Sequence, residues 1–265
     1  MTGVIPIRYL LAVLNSLGHA IIYGLRVNLS VAIVAMVNYT AVTRATAEAD
    51  RNATECGHVD VTVETPPEAR RRTAFNRGLS TSLDGPLEWD SRVQGYILGA
   101  YFWGYIVAQI PGGRLSEAFS AKHLFGFGVM LNVVGTVLSP VASKSGYPWL
   151  ILLRIIKGFG GGVTVPATHV LLAHWSPPVE RSTLASIVYS GVSLGTVLSL
   201  TLSGAMASEL GWESVFYFQG GLGVVWYALW LLLVTDHPRT HPFISDRERE
   251  FIQESLGKAT GGVGT

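Results

Sequence analysis

Three cations stand inside stretches of this sequence that are otherwise apolar. Arg26 lies well within residues 9–37, and Arg154 and Lys157 lie within residues 149–174. A cation at mid-bilayer costs about 2.5–3.5 kcal/mol on insertion scales, so such a residue persists where it faces a watery cavity or a partner. Residues three apart on a helix share a face, so Arg154 and Lys157 point the same way. With Arg26 they can line a positive cavity suited to an anion, because a guanidinium fork matches a carboxylate or phosphate. The competing reading is structural: the cations bond backbone carbonyls or snorkel to an interface. The same stretch holds Gly158, Gly160, Gly161, Gly162 and Pro166, which loosen a helix where its backbone lines a cavity, and then His169. His169 either carries a proton near neutral pH or packs as a hydrogen-bonded histidine. Gly113, Arg114, Glu117, Lys122 and His123 put an acid and several bases between two apolar stretches, where they can latch helix ends together.

These residues need a membrane bundle to position them. The chain has 265 residues, 49% hydrophobic and only 14% charged, where a soluble domain carries about a quarter. Its mean hydropathy is +0.37. The formal net charge of +1 gives no field for nucleic acid. One cysteine, Cys56, allows neither an internal disulfide nor a paired-cysteine metal site. No nucleophile–base constellation, phosphate loop or metal spacing is visible, so neither an enzyme nor a resident cofactor is expected. Glu88 and Asp90 read as an exposed acid and a helix N-terminal cap.

Six stretches reach the ~20 residues that a hydrocarbon core requires: 9–37, 93–111, 123–141, 149–174, 184–207 and 215–234. The expected fold is an all-α, six-helix transmembrane bundle over 9–235, with residues 1–8 and 236–265 on the cytoplasmic side. The first apolar run is too long for a signal peptide and is expected to be retained. The polar segment 38–92 is expected to be a mostly disordered loop on the luminal or extracellular side. It holds acceptor triplets at Asn38 and Asn52, Pro66-Pro67 and Arg70-Arg71-Arg72. Arg8, Arg114, Lys122, Arg181 and Arg239 fall on the opposite side, and only Lys144 falls in the short loops of the sequon side, so both termini are expected in the cytoplasm. Trp89, Trp149, Trp175 and Trp212 lie near span ends, as an aromatic belt would. Gly191, Gly195, Ser199 and Ser203 recur every fourth residue, as do Gly95 and Gly99, which suits close helix packing. After 234, Ser245 and Glu248 form a capping-box pattern. Ile244, Phe251, Ile252 and Leu256 then share a face, either of an amphipathic surface helix or of a solvated tail.

Long segments now become diagnostic: YGLRVNLSVAIVAMVN (23–38), WDSRVQGYILGAYFWGYIVAQIPGGRLSE (89–117), GVTVPATH (162–169), HWSPPVERSTLASIVYSGVSLGTVLSLTLSG (174–204) and GWESVFYFQGGLGVVWYALW (211–230). Over residues 8–257 the sequence resembles solute carrier family 17 of the major facilitator superfamily, most closely its sialin branch. The resemblance implies the N-terminal six-helix half of that fold and secondary transport of small organic anions: sialic acid, acidic amino acids or phosphate-like anions. Proton or sodium would be the coupling ion, in a lysosomal, vesicular or plasma membrane. It makes Arg26, Arg154, Tyr23 and Tyr105 anion-binding residues and His169 a coupling residue. Gly113, Leu115 and Lys122 match the superfamily loop signature, whereas Glu117 replaces its aspartate and Ser120 a later glycine.

Two departures stand out. The sialin branch places glutamates three and seven residues after the span-four arginine, where this chain has Lys157 and Gly161. Neither residue can do a buried carboxylate's proton work, so coupling is expected to differ or fail. In a full-length context, the double change Lys157→Glu with Gly161→Glu is then expected to create pH-driven uptake. The chain also ends shortly after the sixth span. This suggests a truncated form that partners a second half, or a non-transporting half that associates with and regulates a full-length relative.

Overall fold

A computed structural model describes residues 6–38, 40–44 and 85–261. Asn52, Cys56, Pro66-Pro67, Arg70-Arg71-Arg72 and most of the expected loop lie outside the described residues. Six long helices follow one another: α1 (Ile7–Met36), α2 (Ser91–Ala118), α3 (Ala121–Ser145), α4 (Tyr147–Trp175), α5 (Arg181–Glu209) and α6 (Trp212–Leu233). A 3-10 turn, Pro238–Thr240, leads to α7 (Asp246–Gly261).

Five of the six long helices are apolar and long enough to cross a membrane; α2 meets the length alone. It carries Tyr96, Tyr101, Trp103, Tyr105 and Gln109, which lower its mean hydropathy. Asp90 caps α2, accepting the Ser91 N–H at 2.7 Å.

The helices pair mainly as α2 with α4, α1 with α5 and α3 with α4, while α6 joins α3 to α1. Gly104 and Gly158 allow the first pairing, because a Cβ on either would enter the other helix's backbone, at Ile155 and Tyr101 respectively. The stripe of Gly191, Gly195 and Ser199 lies against α1, at Ser16, Ala20 and Gly24. Gly95 and Gly99 instead face open space, so their spacing serves no contact among the described residues. Trp226, Trp230, Phe125, Leu25 and Leu171 form the core at the end that carries the N-terminus. A second cluster at the opposite end gathers Leu29, Met36, Ile97, Leu150 and Phe216.

The two ends of the 38–92 segment are clipped together. Leu87 donates to Met36 O at 3.0 Å and Asn38 donates to Leu87 O at 2.8 Å. Asn38 also caps the short turn at 40–44, its Oδ1 accepting the Ala41 N–H at 2.9 Å. The tail docks rather than floating. Ile252 and Ile244 are buried, and Glu248 reaches across to the start of α1, accepting from the Ile7 and Arg8 N–H groups at 3.1 and 3.2 Å. It also pairs with the Arg8 guanidinium at 3.2 Å, while Arg8 holds Glu180 at 2.7 Å. Only half the expected capping box forms: Ser245 Oγ accepts the Glu248 N–H, while the Glu248 carboxylate serves α1.

Candidate anion site

Arg26, on the sixth turn of α1, is half-buried in an aromatic cage. Its guanidinium carbon lies 4.3 Å from the Phe102 ring centroid, 5.3 Å from Tyr101 and 5.6 Å from Tyr23. Arg154 approaches the same Tyr101 ring at 5.7 Å, so one phenol stands between two guanidiniums. Tyr105 stacks on Tyr101, with ring centroids 6.4 Å apart. Arg26, Arg154, Tyr23 and Tyr105 are thus gathered by α1, α2 and α4, with Tyr101 at the centre. The electron-rich ring faces hold the guanidinium charge while leaving its N–H fork uncommitted, which suits a ligand that brings its own acceptors.

Arg154 and Lys157 do share a face, and both bond backbone carbonyls, the structural alternative for buried cations. Arg154 Nε donates to Ile97 O at 3.3 Å and Nη1 to Arg26 O at 3.4 Å. Lys157 is 1% exposed and its Nζ donates to Leu25 O at 3.3 Å. Its stem crosses α3 at Gly135, where a Cβ would enter it. Lys157 therefore ties α1, α3 and α4 together behind the cage and does not open into it. Gly161 leaves the space that the Tyr101 hydroxyl fills. A glutamate at 161 would have to expel that phenol, which removes the geometric basis for a simple double restoration.

No carboxylate neutralises these cations among the described residues. The acids within the six long helices are Glu117, Glu209 and Glu213, each within two residues of a helix end. A crevice of about 310 Å³ between α1, α5 and α6 is lined by residues such as Leu17, Leu198, Phe218 and Leu222. That lining suits acyl chains, not an anion.

His169 is exposed on α4 and shares a 3.1 Å hydrogen bond with Tyr189 on α5, so it sits apart from the cage. The loop residues divide. Arg114 and Glu117 form an exposed 3.6 Å pair, a geometry of little energetic consequence. Lys122 donates its N–H to Asp236 at 2.8 Å and its Nζ to Leu231 O at 3.0 Å, while Ser120 also bonds Asp236. The latch at this end is made by Asp236 to the start of α3. Gly113 faces Pro166 of α4.

Sequence reasoning missed Tyr101 and Phe102, because an aromatic on a span is ordinary until its neighbours are known.

The sequence profile of the Major Facilitator Superfamily matches residues 10–261. Sialin of Homo sapiens is 43% identical over 94% of this chain and 47% of its own length. A putative inorganic phosphate cotransporter of Drosophila melanogaster is 40% identical over 94% of this chain and 44% of its own. Vesicular glutamate transporter 1 of Xenopus laevis is 37% identical over 97% and 39%. The chain spans about half the length, or less, of the curated relatives it matches. A match that runs from α1 into α7, over a bundle of apolar membrane helices, shows that this chain is an integral membrane protein belonging to the major facilitator superfamily, in its solute carrier family 17 branch.

Proposed function

We propose that these six helices form one wall of a secondary transporter for small organic or phosphate-like anions, with Arg26 as the principal anion contact and Arg154 as the second cation behind it. The carrying observation is the shared Tyr101 ring, which holds two guanidiniums within 5.7 Å while no described carboxylate neutralises either. Tyr23 and Tyr105 would present hydroxyls to the bound anion. Lys157 would act through α1, fixing the Leu25 carbonyl and hence the register of Arg26. Gly113, Glu117 and Lys122 would belong to the gate at the N-terminal end, both termini would face the cytoplasm, and Asn38 and Asn52 would be glycan acceptors. The relatives' lengths fit a second wall supplied by further helices. Their names span sialin, glutamate and phosphate transporters, which supports an anion as the solute, and we read the membrane as lysosomal, vesicular or plasma.

The test is equilibrium binding of N-acetylneuraminate, L-glutamate and inorganic phosphate to the purified protein in detergent micelles, followed by tryptophan fluorescence. At least one should bind and R26Q should abolish it, because loss of a charge-assisted, bidentate contact costs ~2–4 kcal/mol, or roughly thirtyfold to a thousandfold. Binding that survives in both R26Q and R154Q would end this reading.

A further inference from the structure

A cavity of about 570 Å³ opens where the tail docks on α4, and it shares no residue with the aromatic cage. Three segments wall it. The last turn of α4 gives His174, the 3-10 turn and the residue before it give Arg239 and His237, and α7 gives Gln253 beside Ile252 and Leu256.

The polar part of this lining is one-sided. Two imidazoles, a guanidinium and an amide converge, and no Asp or Glu lines the cavity. The neighbouring acid in sequence, Asp236, is already occupied, accepting from Ser120 Oγ and from the Lys122 N–H. The His174 and His237 rings are in contact, with centroids 4.4 Å apart. His174 Nδ1 is buried without a hydrogen-bond partner among the described residues, so the floor of the cavity holds an unmet polar atom. At the rim, the exposed Arg239 guanidinium is held by no hydrogen bond or ion pair among the described residues.

The occupant of such a cavity must bring several acceptors and negative charge. Among the described residues no three His, Cys, Asp or Glu side chains are placed to hold a metal ion, which argues against a cation here. A carboxylate offers two oxygens to donors arriving from three segments. A phosphomonoester offers three terminal oxygens and a charge between about −1 and −2 near neutral pH. The Arg239 fork can take two of those oxygens, and His237 and Gln253 can reach the remaining one. The position fits as well. His174 is one residue from the end of α4, and basic pockets at helix ends on one side of a membrane hold phosphate head groups.

We propose that this cavity is a second anion site, built for a phosphomonoester group, and that its occupant clamps α7 to the end of α4. The proposal is independent of the Arg26 site and of the transport reading. Free phosphate and a lipid head group share the required chemistry, and the test separates them.

Every arm uses the purified chain carrying R26Q, which removes the principal contact of the other anion site. In the first arm, inorganic phosphate is titrated calorimetrically into the protein in neutral detergent micelles. In the second, the protein sits in phosphatidylcholine nanodiscs with or without phosphatidate. Limited proteolysis times the cut ahead of α7 in both. R239Q and H237A are compared with the unaltered cavity, and both side chains are exposed, so neither change threatens the core. Phosphate should bind, or phosphatidate should slow the cut, and each variant should weaken the effect about tenfold or more by removing a charge-assisted contact. Binding in the first arm identifies a soluble ligand, and protection confined to the second identifies a head group. No response in either arm would overturn the proposal, as would a response that both variants leave intact. Sulfate and phosphatidylglycerol, a diester, are the controls. An equal response to them would overturn the phosphomonoester assignment, and phosphate that binds without slowing the cut would overturn the clamp.

Discussion

Lys157 offers the sharpest test of how this bundle carries buried charge. Its ammonium is 1% exposed and, among the described residues, donates to one carbonyl, Leu25 O, and pairs with no carboxylate. An uncompensated buried cation costs several kcal/mol of lost hydration, and a charge-assisted hydrogen bond returns only ~1.5–3 kcal/mol. Leu25 sits inside α1, where its carbonyl keeps its own helical partner when Lys157 is removed. Lys157→Met conserves length and much of the volume, so its stem still fills the groove at Gly135. The balance predicts that K157M is more stable than the parent by about 1–3 kcal/mol. For a chain of this size that is a rise in Tm of about 2–4 °C per kcal/mol. Lys157→Ala is the control with the opposite sign, because truncating the stem leaves a cavity costing ~24 cal/mol per Å³. Thermal unfolding in micelles reads both variants through tryptophan fluorescence, since the chain has seven tryptophans. If K157M melts below the parent while K157A behaves no worse, the ammonium has a counter-charge outside the described residues, and the uncompensated-cation argument is wrong.

Further outcomes follow from the same packing. Gly161→Ala places a methyl where the Tyr101 hydroxyl sits. It should displace the phenol from both guanidiniums, lose two contacts worth ~0.5–1 kcal/mol each and weaken anion binding about fivefold to thirtyfold in a titration. Glu248→Ala removes the acceptor for two α1 N–H groups and a pair whose side chains are 9–13% exposed. It should lower stability by ~1–3 kcal/mol, and limited proteolysis should cut ahead of α7 sooner than in the parent. Gly85→Ala drives a methyl into the Met36 backbone. It should open the clip between residues 36–38 and 85–87 at a cost of ~1–3 kcal/mol, seen as a lower Tm with anion affinity unchanged.

The bundle was legible in the sequence because a membrane demands long apolar runs and punishes every exception. The exceptions, Arg26, Arg154 and Lys157, were therefore visible by the same rule. What the rule could not supply was direction. Arg154 and Lys157 were rightly set on one face, but a shared face does not say whether it opens to water or meets a neighbouring helix, and here it meets α1. The latch illustrates a second limit. Glu117 was the acid nearest in sequence to Lys122, whereas the acid that bonds the start of α3 is Asp236, brought there by α6. Tyr101 shows a third, since its importance comes from the hole at Gly161 on another helix.

These limits share one cause, and it explains why α2 is the least apolar of the six long helices. A helix that borders only lipid can be aliphatic throughout, and its polar residues then stand out. A helix that must solvate guanidiniums without neutralising them has to offer ring faces instead; Tyr101 does this for Arg26 and Arg154 and Phe102 for Arg26, with Tyr105 stacked on Tyr101. A carboxylate in their place would satisfy the cations permanently and compete with any anion. An aromatic cage leaves the positive field largely uncancelled at a modest cost in hydropathy. On the proposed anion reading, the weak hydropathy of α2 and the absence of acids around Arg26 among the described residues would be two consequences of a single requirement, that the charge be sheltered but left for a ligand to neutralise.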